Sequence, residues 1–211
     1  AVLLLDVGDA TQGTPLVNLE MGKNAITFMN LAGYDAMTPG NHEFDWGVDN
    51  LKQIVGEAKF PIQSANILNS AATGGEVTFQ ANKVFEMSNG MKVGVFGLTT
   101  PETLTKAHPD KVRGVDFLQG DALMEEANKQ VAALKEAGAD IVVLMSHLGS
   151  SEESAPNRMQ DLLEKVQGIN LLIDGHSHTV YEKGETVGET LVVSTGSYSQ
   201  SLGVVEYDGE K

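Results

Sequence analysis

Four short polar stretches, each directly after an apolar run, hold most of the side chains able to do chemistry. LLLDVGDATQG carries Asp6 and Asp9, TPGNHEFDWG carries Asn41, His42, Glu43 and Asp45, VVLMSHLG carries His147, and LLIDGHSH carries Asp174, His176 and His178. Four of the five histidines therefore sit in these stretches. Imidazole nitrogen with carboxylate and amide oxygen, in a chain without cysteine, is a donor set for zinc, manganese, iron or cobalt. It suits copper(I) or an iron–sulfur cluster poorly. A carboxylate such as Asp9 has two oxygens and can bridge two cations. Two ions about 3.5–4 Å apart lower the pKa of bound water towards roughly 7 and clamp both ends of an in-line displacement at phosphorus.

Each stretch also has a structural reading. Asp9 and Asp174-Gly175 suit turns, Asn41 suits a turn or a helix cap, and a lone His147 at a strand end suits a hydrogen-bonded core histidine. Those readings require four unrelated coincidences, whereas one metal centre accounts for all four stretches. Gly8, Gly40, Gly149 and Gly175 allow sharp backbone turns beside such a centre. The fifth histidine, His108 in KAHPDK, lies among polar residues and reads as an exposed loop residue.

The elements that must position these residues follow from hydrophobic periodicity. Strands are expected over Val2 to Val7, Asp35 to Thr38, Ile141 to Met145, Asn170 to Asp174, Leu191 to Thr195 and Leu202 to Tyr207. Helices are expected near Gly22 to Leu31, with Ala25, Phe28, Met29 and Ala32 at helical spacing, and over Val48 to Ala58, Asp121 to Ala137 and Asn157 to Val166. In the third of these, Leu123, Ala127, Val131 and Leu134 share a face, and Gly138 supplies the stop. Val77 to Met87 and Lys92 to Leu98, separated by Ser88-Asn89-Gly90, read as an antiparallel hairpin. Pro61 to Ala65 reads as extended and Asn69 to Glu76 as a polar surface loop. Alternation of strands and helices without an internal repeat describes one layered α/β domain with a mixed sheet. In open α/β sheets, ligands bind beyond the carboxyl ends of strands, where the four polar stretches fall.

The 211 residues carry 14 basic against 29 acidic side chains, a net charge of −15, which repels nucleic-acid polymers and anionic lipid surfaces. A small phosphorylated substrate remains compatible where a bound cation neutralises its phosphate. No run approaches the roughly 18 apolar residues of a membrane span.

The blocks GDATQGTP, TPGNHEFDWG, GLTTPET, SHLG and DGHSHT, in this order, resemble the calcineurin-like metallophosphoesterases, specifically the catalytic domain of the 5'-nucleotidase and 2',3'-cyclic phosphodiesterase family. The resemblance implies a four-layer α/β/β/α sandwich with mixed sheets, a dinuclear site, and hydrolysis of nucleoside 5'-monophosphates and 2',3'-cyclic nucleotides by metal-hydroxide attack. It also implies a protein exported or tethered to the cell surface. Carried over by motif, Asp9 resembles the bridging carboxylate. Asn41, His147 and His176 complete one metal site with it, and His178 belongs to the other. His42 is then no ligand but a catalytic group that meets the phosphate and the leaving group, with Asp45 orienting and charging its imidazole. Glu43 reads as structural, and Asp6 and Asp174 either support ligands or serve their turns.

The family pattern includes an Asp-x-His pair on an earlier strand and a C-terminal domain that grips the nucleoside. The one Asp-x-His here, Asp174-Gly175-His176, already belongs to the last block. The expectation is a catalytic domain spanning 1–211 that lacks its first strand and its substrate-binding domain. Such a fragment is expected to hold one cation firmly, where the parent holds two, and to hydrolyse esters poorly. Within the same class, a UDP-sugar or a sulfur-containing ester is an alternative substrate. A non-catalytic metal-binding scaffold is the alternative from another class; the His42–Asp45 pair argues against it.

Overall fold

The computed structural model describes residues 1–69 and 79–209. In chain order its elements are β1 (Leu5–Asp6), α1 (Pro15–Asn18), α2 (Lys23–Ala32), β2 (Ala36–Met37), α3 (Val48–Glu57), β3 (Ile67–Asn69), β4 (Asn82–Glu86) and β5 (Lys92–Thr99). There follow α4 (Thr103–Lys106), β6 (Val115–Phe117), α5 (Asp121–Glu136), β7 (Ile141–His147), α6 (Met159–Lys165), β8 (Leu171–Asp174), β9 (Glu185–Val187) and β10 (Thr190–Val193). Short 3-10 turns cover His42–Phe44 and Glu152–Ser154.

The main sheet has the order β4-β5-β7-β8-β10-β9. Its four central strands are parallel and both edge strands antiparallel. Strand alternation sorts its side chains between two cores. Val93, Val95, Val143 and Met145 face the parallel pair β1–β2 and pack with Ala36, Leu5 and Val7. Phe96, Leu98, Val142 and Leu144 face α5 and α6 and pack with Leu123, Ala127, Val131, Leu134 and Leu162. On the far side of β1–β2, Ile26 and Met29 of α2 and Ile54 of α3 cover Met37. The layers are therefore α/β/β/α, the expected sandwich. A second two-stranded ladder, β3 with β6, closes over Phe44, whose ring meets Phe117 edge-on at 5.9 Å.

Several expectations need correction. The first strand shrinks to Leu5–Asp6 because its hydrogen-bonded neighbour, β2, is itself two residues long. In α2 the buried face is Ala25, Ile26 and Met29, while Phe28 stands half exposed on the neighbouring face. Leu202 to Tyr207 is no strand: among the described residues no ladder includes it, and Leu202, Val204 and Tyr207 are exposed. β-Branched and aromatic residues suit a pleated surface only where a neighbouring strand supplies one. The polar loop expected after Asn69, and Val77 and Thr78 of the hairpin, lie outside the described residues. The hairpin itself is present as β4 and β5, paired antiparallel from Asn82↔Phe96 to Glu86↔Lys92. Among the described residues no helix is long and apolar enough to cross a membrane.

Candidate metal centre

Parallel pairing brings the carboxyl ends of the strands to one edge. Thr99 of β5 lies opposite His147 of β7, and Ser146 of β7 lies opposite Asp174 of β8. Because Ile141, Val143 and Met145 face β1–β2, the alternation carries His147 to that same inner face. There its Nδ1 donates to the carbonyl of Val7, at the end of β1. Asp9, His147 and His176 each present one ligand atom, and the three atoms all lie within 4.8 Å of one another. The rings of His147 and His176 have centroids 5.2 Å apart.

The loops after β1 and β2 are tied together by Glu43. Fully buried, it accepts the backbone N–H groups of Asp9 at 2.8 Å, Gly40 at 2.6 Å and Thr11 at 3.1 Å, and the Thr11 hydroxyl at 3.1 Å. Burial, then the neighbouring Asp9 charge, pushes the Glu43 carboxyl up. Asp9 itself adopts a left-handed backbone, φ 63°, a conformation costing about 1–3 kcal/mol that surrounding bonds must hold. One of those bonds is the His42 backbone N–H, which donates to Asp9 Oδ1 at 2.9 Å. A side chain at Gly40 has no room, since its Cβ would fall 2.2 Å from Asp9 Oδ1 and 2.6 Å from His147 Nε2.

These residues fit a cation. Asn41 Oδ1 and His147 Nε2 are buried and lack hydrogen-bond partners. His147 Nε2 comes within 3.1 Å of Asp9 Oδ2, yet without hydrogen-bond alignment. Buried polar atoms left unpaired beside a carboxylate cost stability unless a positive ion satisfies them. Without an ion the histidine takes that role. Burial disfavours its charged form, but the Asp9 charge prevails and pushes His147 up to about 9. In the cation-free chain that pair contributes on the order of 3 kcal/mol, counted once for both partners. The sign follows from a folded pKa raised above the ordinary 6.5: the contribution is complete below pH 6.5 and is lost as pH rises through 9. Urea melts with a chelator present, at pH 6 and at pH 9.5, are expected to show this loss; equal stability at both would contradict it.

His42 sits on the 3-10 turn anchored by buried Phe44, with its Nδ1 2.6 Å from Asp45 Oδ2. Burial opposes its charge, but the Asp45 hydrogen bond and the Asp9 charge outweigh burial and raise its pKa. Asp6 accepts from Gly8 N–H at 2.8 Å within its own turn, whereas Asp174 accepts across to β7 and the loop after it, from the Ser146 hydroxyl at 2.7 Å and Gly149 N–H at 3.2 Å. Burial pushes each carboxyl up to about 6. His178 stands outside the three-residue cluster, exposed, with Tyr198 edge-on at 5.7 Å. His108 is exposed, as expected.

One residue escaped the sequence analysis. Glu102, just after β5 in the GLTTPET block, places Oε2 2.5 Å from His176 Nε2. The available signal was position: like Asp9 after β1, it comes three residues after the end of a strand.

The model for the family described as bacterial capsule synthesis protein PGA_cap matches residues 3–197. The trifunctional nucleotide phosphoesterase YfkN of Bacillus subtilis is 30% identical over 99% of this chain, which spans 16% of that protein. The solved structure of YfkN, described as a calcineurin-like phosphoesterase, overlays 92% of this chain and 67% of that one, with TM-score 0.74. The snake venom 5'-nucleotidase of Gloydius brevicauda is 32% identical over 93% of this chain and 32% of its own length. The sulfate thiohydrolase SoxB of Thermus thermophilus overlays 92% of this chain and 34% of that one, at 25% identity and TM-score 0.79. Fold and ligand cluster thus define a metallophosphoesterase domain. Within that class the chain belongs to the 5'-nucleotidase-type, calcineurin-like family, and it spans about a third or less of the length of these curated relatives.

Proposed function

We propose that these residues form the cation-binding catalytic part of an enzyme that hydrolyses nucleoside 5'-monophosphates, and 2',3'-cyclic nucleotides, to nucleoside and phosphate. The observation that carries this reading is the meeting of Asp9, His147 and His176 within 4.8 Å, beside the unpartnered Asn41 Oδ1. Asp9, Asn41, His147 and His176 would hold one divalent ion, and Asp9 with His178 would contribute to a second. Zinc, manganese, iron or cobalt bound there supplies charge neutralisation of the phosphate and activation of water. Asp9 is preorganised for ligation, because the Glu43 and His42 contacts fix its loop before any ion arrives. His42 holds a proton at Nε2 while Asp45 accepts from Nδ1, so the imidazolium can protonate the departing nucleoside oxygen. The named relatives include a venom enzyme, and an extracytoplasmic location is proposed on that likeness.

Titration of the chain with manganese by calorimetry is expected to show one tight site. Two tight sites would contradict the single-site expectation, and no binding would remove the metal centre altogether. On the full-length protein, a phosphate-release screen with AMP, 2',3'-cyclic AMP and a UDP-sugar in separate wells tests the substrate class. Silence in all wells would favour the non-catalytic scaffold. A second reading, hydrolysis of a sulfur-containing ester on the same centre, draws on the overlay with the thiohydrolase, and a sulfate-release arm tests it.

A further inference from the structure

The two histidines of the cluster are held by different ring nitrogens. His147 gives Nδ1–H to the Val7 carbonyl, which can only accept, so Nε2 is the nitrogen left without a hydrogen-bond partner beside Asp9. His176 is held the other way round, by Glu102 on Nε2 at 2.5 Å, and among the described residues no hydrogen bond engages its Nδ1. Glu102 is well placed to act as a fixed acceptor. The strand before it is locked at Thr99, whose N–H and carbonyl both bond the Asn66 amide, at 2.8 and 2.7 Å, and whose hydroxyl reaches the Pro39 carbonyl at 2.8 Å. Its own N–H meets the Thr100 hydroxyl at 3.2 Å, and Ser154 of the neighbouring 3-10 turn donates to its Oε2 at 3.2 Å. The side chains of Glu102 and His176 are both largely shielded, at 17% and 13% exposure, so water competes weakly for this bond.

We propose that Glu102 is a positioning residue that sets the tautomer of His176: it holds Nε2–H and so reserves Nδ1 for the cation shared with Asp9 and His147. A carboxylate behind a ligand histidine fixes ring orientation and raises ligand basicity. This inference rests on the metal-centre reading above and extends it to a residue that touches neither ion nor substrate.

The test reads the ring nitrogens directly. In the chelator-treated, 15N-histidine-labelled chain at pH 8, His176 is expected to show a protonated Nε2 and an unprotonated Nδ1. Glu102→Ala should shift it to a mixture of tautomers and weaken manganese binding by about 10–100-fold in calorimetry. Glu102→Gln keeps an oxygen acceptor and should retain the tautomer, with a smaller loss of affinity. Thr105→Ala removes a bond to the Glu102 backbone carbonyl without touching its carboxylate and should change neither readout, which separates the effect from general loosening of the loop. An unprotonated Nε2 in the unsubstituted chain overturns the proposal. So does a Glu102→Ala chain that keeps both the tautomer and the affinity. If the unsubstituted chain binds no manganese at all, the metal-centre reading falls and this one with it; the first two results overturn this one alone.

Discussion

Exchanging His42 for alanine is expected to slow phosphate release from AMP by about 10²–10⁴-fold in the full-length protein, the range for a general acid, while leaving manganese affinity unchanged. The separation of the two effects follows from which atoms His42 uses. Its contact with Asp9 is made by the backbone N–H, which alanine keeps, so the orientation of the ligand carboxylate survives. The turn survives too, because Phe44 anchors it in the core and Glu43 holds the loops. What is lost is the imidazole and its bond to Asp45, whose carboxylate is partly exposed and can be solvated. Asp45→Asn should fall in the same direction by less, since the ring remains but its charge is no longer supported. Loss of bound manganese in the alanine variant would show that His42 is a ligand and that its assignment here is wrong.

Gly40→Ala is expected to weaken manganese binding by about 100-fold and to destabilise the fold by roughly 1–3 kcal/mol, although one methyl group is the whole change. The new Cβ would stand 2.2 Å from Asp9 Oδ1 and 2.6 Å from both Cε1 and Nε2 of His147. Neither neighbour is free to retreat. Asp9 is pinned by the His42 N–H on one side and by Glu43 on the other, and His147 is pinned by the Val7 carbonyl. Relief therefore requires moving a ligand. Gly56→Ala is the control: it lies in α3 with open space around its Cβ, and alanine there should stabilise the helix by about 0.5–1 kcal/mol and bind manganese as before. Unchanged affinity in Gly40→Ala would mean that the four donor residues do not share an ion.

The positions of the four polar stretches were legible from the linear order, because the same pattern that makes a buried strand also marks where it ends. At or beyond that end Asp9, Asn41, His147 and His176 fall for reasons local to each segment, His147 as the last residue of β7. The face of α5 was legible too, since Leu123, Ala127, Val131 and Leu134 recur at the helical period. Periodicity failed where a partner decides the outcome. Leu202 to Tyr207 has the residue types of a strand but no ladder among the described residues takes it, and α2 turns Ile26 inward while Phe28 faces out. The pairing of Glu102 with His176 was illegible for a related reason. Seventy-four positions separate it from His176, and only the register that sets β5 beside β7, and β7 beside β8, brings its carboxylate to that ring. The same holds for the meeting of the ligand atoms within 4.8 Å and for the space that Gly40 leaves open. Residue type and spacing are properties of the chain, whereas proximity depends on which strands pair and in what register, and that is a property of the packed sheets.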